Sequence, residues 1–214
     1  MNSVTAKIKF PDKIFITGTD TGVGKTLVSA MLLTGLNGKY WKPVQSGLED
    51  ITDTEWVKKN TDLQEQHFYP ETYSLKLPLS PHASAAAEGK HIDLERFIIP
   101  ETGENEKLII EGAGGIMVPL NERELMIDLM KKCGAPVLIV ARSGLGTINH
   151  TLLSINQIKN EDLDIFGVVM NGPRNSSNRD AIEHFGNVKV IAEIEEIKNI
   201  SQENLKRSFK KYFG

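Results

Sequence analysis

Thr17–Thr26 reads Thr-Gly-Thr-Asp-Thr-Gly-Val-Gly-Lys-Thr and directly follows the apolar run Ile14-Phe15-Ile16. A glycine-rich turn between a strand and a helix is a place where chains hold phosphates. Gly22 and Gly24 let the backbone turn its amides toward an anion where a Cβ would obstruct. Lys25 then brings a point charge to the β- and γ-phosphates, and the Thr26 hydroxyl stands at a helix start where it can ligate Mg²⁺. The strict phosphate-loop pattern has glycine six positions before the lysine; here Thr19 holds that position and Gly18 lies one step earlier. The bland alternative is an ordinary glycine-rich βα turn.

Three oxygen-bearing side chains are candidates for one Mg²⁺: Thr26, Asp53 and Glu111. Magnesium takes oxygen ligands, keeps several waters and needs few protein ligands beside phosphate oxygens. Glu111 closes the apolar run Leu108–Ile110, and an acid closing a buried strand is costly unless a cation or donor meets it. Gly112, Gly114 and Gly115 then allow close approach of a ligand. Asp53 stays open, because Thr52-Asp53-Thr54-Glu55 also reads as a helix cap with an acidic first turn. Lys42, stiffened by Pro43 at a strand end, is either a second cation facing the phosphates or a lysine whose head snorkels to water.

These groups need a frame. Apolar runs at Ile14–Thr17, Tyr40–Val44, Leu108–Ile110, Val137–Val140, Phe166–Met170 and Val188–Ile191 alternate with segments of helical period. That pattern predicts an α/β fold of the P-loop NTPase type: one domain over 1–214, with a mostly parallel sheet covered by helices on both faces. In such sheets ligands gather beyond the carboxyl ends of the strands, where the polar and glycine-rich segments fall here. Ser74–Glu88 is the least regular stretch; its prolines break structure, a short helix restarts at Ala83–Glu88, and the whole is expected to pass over the active face.

The chain has 214 residues, 40% hydrophobic and 25% charged, and suits one globular domain. A net charge of -3 argues against a broad nucleic-acid surface. The one cysteine, Cys133, reads as a small buried apolar residue at a helix end, and the five histidines lack the close pairing of zinc sites. Met1–Phe10 carries Lys7 and Lys9 without an apolar core, so no signal peptide is expected. Ala135–Ala141 is too short to span a bilayer. A soluble cytoplasmic protein, with neither nucleic acid nor membrane as partner, is the expectation.

Gly18–Thr26, Lys42-Pro43-Val44-Gln45-Ser46-Gly47, Glu111-Gly112-Ala113-Gly114-Gly115 and Gly144-Leu145-Gly146-Thr147-Ile148-Asn149-His150 occur in that order, with Pro81-His82-Ala83-Ser84-Ala85 between. Together they resemble the ATP-dependent dethiobiotin synthetases over nearly the whole chain. The resemblance implies ring closure of 7,8-diaminopelargonate with CO₂ and ATP, giving dethiobiotin, ADP and phosphate in biotin biosynthesis. A substrate amine captures CO₂ as a carbamate, whose oxygen attacks the γ-phosphate; the second amine then displaces phosphate from the mixed anhydride. Both reactants are anions, so Lys25, Lys42, Mg²⁺ and the loop amides have charge to screen. No protein nucleophile is required.

By matching position, the resemblance makes Lys42 and Lys25 catalytic, with Thr21 the loop hydroxyl near the carbamate. It places ATP on Gly22, Val23, Gly24, Lys25, Thr26 and Leu27, with Asp53, Glu111, Gly112, Ala113 and Gly114 nearby, and makes Thr26, Asp53 and Glu111 the metal ligands. Asn171 resembles the adenine-edge contact, with Gly172 beside it. Ser46 and Pro81 resemble substrate contacts. The helix start Gly146, Thr147, Ile148 and Asn149 resembles the seat of the substrate carboxylate across a homodimer interface, which suits free amides. Two positions depart from the family. Gly22 stands where many members carry glutamate, and Glu195, Glu196 and Ile197 replace a proline-containing segment that flanks the base.

Two other classes compete with this one. A nucleotide switch like the MinD/ParA ATPases would carry Lys-Gly where this loop has Asp20-Thr21. Leu205, Phe209 and Tyr212 share a helical face opposite lysines, which suits a membrane-surface helix, although a terminal helix docked on the core explains the same pattern. An amidotransferase-like P-loop synthetase of cobalamin metabolism would need a glutamine-hydrolysing domain and a nucleophilic cysteine, and Cys133 supplies neither.

Overall fold

Short runs of large apolar residues alternate with helices, several of which end on a left-handed Asn, Asp or Gly, and set the element order. The computed structural model describes residues 8–214, so the expectation drawn from Met1–Phe10 lies, for 1–7, outside the described residues. In chain order the elements are β1 (Lys13–Gly18), α1 (Lys25–Leu36), β2 (Lys39–Trp41), β3 (Val44–Ser46), α2 (Asp53–Thr61), β4 (Phe68–Tyr69), β5 (Tyr73–Leu75), α3 (Pro81–Ala87), β6 (Leu108–Gly115), α4 (Met126–Cys133), β7 (Val137–Arg142), α5 (Thr147–Asn160), β8 (Ile165–Asn171), α6 (Ser176–Gly186), β9 (Val190–Ile194) and α7 (Gln202–Phe213).

Among the described residues, seven strands form one parallel sheet in the order β4-β2-β6-β1-β7-β8-β9, while β3 and β5 pair separately. Alternate residues of the strands feed two apolar layers, as the pleat requires. Ile14, Ile16, Tyr40, Ile109 and Val140 pack with α1 and α7; Phe15, Trp41, Ile110, Ile139 and Met170 pack with α4, α5 and α6. Near-continuous apolar strands are what a sheet covered on both faces demands.

Several boundaries differ from the expectation, most of them by one to three residues. The run Tyr40–Val44 is two strands in two sheets, because Pro43 has no N–H to give a ladder and restricts Lys42 before it. The run Leu108–Ile110 continues to Gly115, so Glu111 lies inside β6 rather than at its close. The last strand begins at Val190, not Val188. The short helix begins at Pro81 rather than Ala83, since proline at the first helical position loses no needed hydrogen bond. In α7, Leu205 and Phe213 are buried, and the Phe209 ring covers Gly35 of α1 so closely that a Cβ there would lie 2.0 Å away. The basic terminal helix is docked on the core.

Candidate active site

The phosphate-loop segment starts where β1 ends. Gly24 has φ 101, and a Cβ there would sit 2.2 Å from Asn171 Nδ2. Asn171, at the end of β8, donates that same amide to Val23 O at 2.9 Å. The loop therefore closes on the end of β8, two strands away from β1 in the sheet. Gly22, with φ 72 and nothing near its missing Cβ, has room for a side chain but a backbone that disfavours one. Asp20 is held from two sides: Arg142 Nη2 donates to Oδ2 at 2.5 Å, and Thr21 N donates to Oδ1 at 2.7 Å. Lys25 is buried and donates to the Asp20 carbonyl at 3.1 Å. Burial, followed by the charge of Lys42, pushes its ammonium below the ordinary lysine value.

The second group is built by register. Tyr40 and Trp41 pair with Ile109 and Ile110, so Lys42 continues to the level of Glu111. Lys42 is buried, with Nζ 2.6 Å from Asp53 Oδ2, 3.1 Å from Glu111 Oε1 and 3.2 Å from the Gly112 carbonyl. Burial opposes its charge, yet Glu111 and Asp53 outweigh that and raise its pKa above the ordinary value. Asp53 is pulled the other way: burial raises its pKa, but Lys42 and the Thr26 hydroxyl win and lower it. The cap reading of Asp53 is met, and its carboxylate also turns toward Lys42 and Thr26. Thr52 caps α2 in a capping box with Glu55, and Asp53 as the first helical residue reaches the site.

The Thr26 hydroxyl lies 2.8 Å from Asp53 Oδ1 and 2.9 Å from Glu111 Oε1. One hydroxyl proton serves only one of two acceptors, so the pair keeps an unmet demand for positive charge. Three oxygen side chains converging on that point fit Mg²⁺.

A cavity of about 650 Å³ gathers Thr21, Gly22, Gly24, Lys25, Thr26, Lys42, Ser46, Asp53, Pro81, Ala113 and Gly114. The irregular segment does pass over this face, through Pro78, Leu79 and Ser80. Glu111 and Gly112 lie beneath it, buried. Leu27 and Gly172 do not line it; Gly172 N donates to Ile194 O, tying β8 to β9. A second cavity of about 700 Å³ lies across the loop, between Thr19–Thr21, Met117 and the α5 residues His150, Leu153, Ser154 and Gln157. Thr147 is buried and its amide already donates to Gly144 O, so the free amides of the α5 start are those of Ile148 and Asn149.

Glu195, Glu196 and Ile197 stand apart from both cavities. Glu195 pairs with Lys211 at 3.4 Å, and Glu196 and Ile197 line a groove of about 310 Å³ against α7. Three contributors escaped the reading of the sequence. Gln45 accepts the Asp53 amide at 3.2 Å, Arg142 grips Asp20, and Tyr40 donates to Glu111 Oε2 at 3.0 Å. Only Tyr40 had a local signal: it stands two residues before Lys42 and so shares its face of the strand.

Residues 12–204 match the family model described as an AAA domain. The ATP-dependent dethiobiotin synthetase BioD of Paramagnetospirillum magneticum is 50% identical over 182 residues, covering 85% of this chain and 87% of that protein. The chain belongs to the ATP-dependent dethiobiotin synthetase family. Its relative from Bradyrhizobium diazoefficiens is 43% identical over 201 residues, covering 94% of this chain and 95% of that protein. The biotin biosynthesis bifunctional protein BioCD of Bordetella avium is 48% identical over 188 residues, 87% of this chain, and the chain spans 40% of its length. Among solved structures, the MinC:MinD cell division protein complex of Aquifex aeolicus has a TM-score of 0.54 at 14% identity, covering 92% of this chain and 86% of that one. A ParA family ATPase from Chlorobium tepidum TLS has 0.53 at 12%, covering 95% and 91%. These last two share the fold, a parallel P-loop sheet. No helix among the described residues is long and apolar enough to cross a membrane.

Proposed function

We propose that this chain, as one synthetase domain over 1–214, uses ATP to close the ureido ring of dethiobiotin from 7,8-diaminopelargonate and CO₂ in the cytoplasm. The observation that carries the reading is the meeting of Lys25 and Lys42 with Thr26, Asp53 and Glu111 around one cavity. The loop amides and Lys25 bind the phosphates, whose charge the buried cation is placed to meet. Lys42 orients the carbamate toward the γ-phosphorus and stabilises charge on the transferring group. Thr21, exposed at the cavity wall, hydrogen-bonds the carbamate, and Ser46, whose hydroxyl has no partner, holds the substrate amine side. Thr26, Asp53 and Glu111 would hold Mg²⁺, which when bound would supply positive charge to the triphosphate. Asn171 at the end of β8 reads the base edge, and the base lies outside both cavities, toward residues 195–197 that follow the adjacent β9.

A homodimer completes the substrate site. Leu153 and Met117 are 61% and 53% exposed and line the second cavity, and Leu145 in the loop before α5 is fully exposed; apolar surface of this kind suits a second copy. The carboxylate of the substrate then rests on the Ile148 and Asn149 amides. ADP release measured with and without diaminopelargonate and bicarbonate tests the reading. Release that requires both supports it; release indifferent to both refutes it.

A further inference from the structure

Glu111 is fully buried on the α1 face of β6, where a carboxylate must be met on every side. Its two oxygens have separate partners. Oε1 accepts from Lys42 Nζ at 3.1 Å and lies 2.9 Å from the Thr26 hydroxyl; Oε2 accepts from the Tyr40 phenol at 3.0 Å. Tyr40 and Lys42 stand two residues apart along one strand line, so both face Glu111, one from beneath and one at its level. We infer that Tyr40 is a positioning residue that occupies Glu111 Oε2, fixes the rotation of the carboxylate and leaves Oε1 alone to face Thr26 and a divalent cation. The inference rests on the proposed reading of Glu111 as a metal ligand. Partners of this kind orient metal-binding groups, and their loss costs tenfold to a hundredfold in affinity.

The Tyr40 ring has a separate duty. It packs edge-on against Phe68 with ring centroids 6.1 Å apart. Tyr40→Phe keeps that contact and removes only the hydroxyl, whereas Phe68→Leu disturbs the contact and keeps the hydroxyl. Mn²⁺ titrated into the full chain with saturating ADP, and read by electron paramagnetic resonance, separates the two duties. Tyr40→Phe weakens Mn²⁺ binding at least tenfold and leaves metal-free ADP affinity unchanged; Phe68→Leu lowers the thermal midpoint without weakening Mn²⁺. Wild-type Mn²⁺ affinity in Tyr40→Phe, with affinity lost in Glu111→Gln, overturns the role of Tyr40 alone. Wild-type affinity in Glu111→Gln overturns the metal reading beneath it. Where Tyr40→Phe is poorly recovered, fluorotyrosine at position 40 keeps ring and hydroxyl while altering the donor. Mn²⁺ affinity then changes if the phenol acts on Glu111 and stays fixed if the ring only fills the core.

Discussion

Lys25 and Lys42 are both buried cations at the carboxyl edge of one sheet, yet their surroundings have opposite character. Lys25 has a backbone carbonyl for a hydrogen-bond partner, and burial with the repulsion of Lys42 lowers its pKa. Lys42 is clasped by Asp53 and Glu111, and its pKa is raised against the pull of burial. The loop thus holds positive charge in want of an anion, and the break between β2 and β3 holds positive charge already paired. On the proposed reading, the first region binds phosphate and the second exchanges partners when anions and a divalent cation arrive.

The largest effect should come from removing either cation. Lys42→Ala loses phosphoryl transfer by at least about 10³-fold in ADP release while its circular dichroism stays native. Near-normal turnover would remove Lys42 from the mechanism. Stability should then divide the two lysines. Lys42→Met leaves a buried carboxylate unpaired and costs about 3 kcal/mol in urea unfolding without metal, and added Mg²⁺ returns part of it. Lys25→Met costs far less, since no carboxylate loses its direct partner. Equal losses would erase the contrast.

The pH dependence follows from the signs. A lysine raised in the folded state, as Lys42 is, contributes stability that is complete below 10.5 and is lost as pH climbs through the folded value. Lys25, lowered in the folded state, has the opposite sign: stability rises with pH between its folded value and 10.5. The alkaline loss should therefore flatten in Lys42→Met and persist in Lys25→Met. A smaller effect is expected at Ser46→Ala, about fivefold in the KM for diaminopelargonate and less for ATP. Equal rises would argue against the substrate contact. Smallest is Thr52→Ala, about 1 kcal/mol through the cap of the helix that carries Asp53, measured by thermal unfolding.

What the sequence disclosed was whatever lies close together along the chain. Glycine spacing, Lys25 and Thr26 form one contiguous loop, so phosphate binding could be read without a fold. The helix start at Asp53 was equally local, and what remained open was which way its carboxylate pointed. Strand order, the small β3–β5 sheet and the Arg142 grip on Asp20, 122 residues away, depend on pairing between distant segments. Glu111 hid its place inside β6 because the glycines after it do not look like a strand. Cys133 kept its bland reading: burial pushes its thiol up to about 12, unfit for a nucleophile.

The most direct test is the fate of bicarbonate oxygen. With ¹⁸O-labelled bicarbonate, ATP and diaminopelargonate, a carbamate attacking the γ-phosphorus delivers one labelled oxygen to each inorganic phosphate released. Phosphate carrying no label above that from exchange with water, while dethiobiotin still forms, would contradict a site built to bring two anions together.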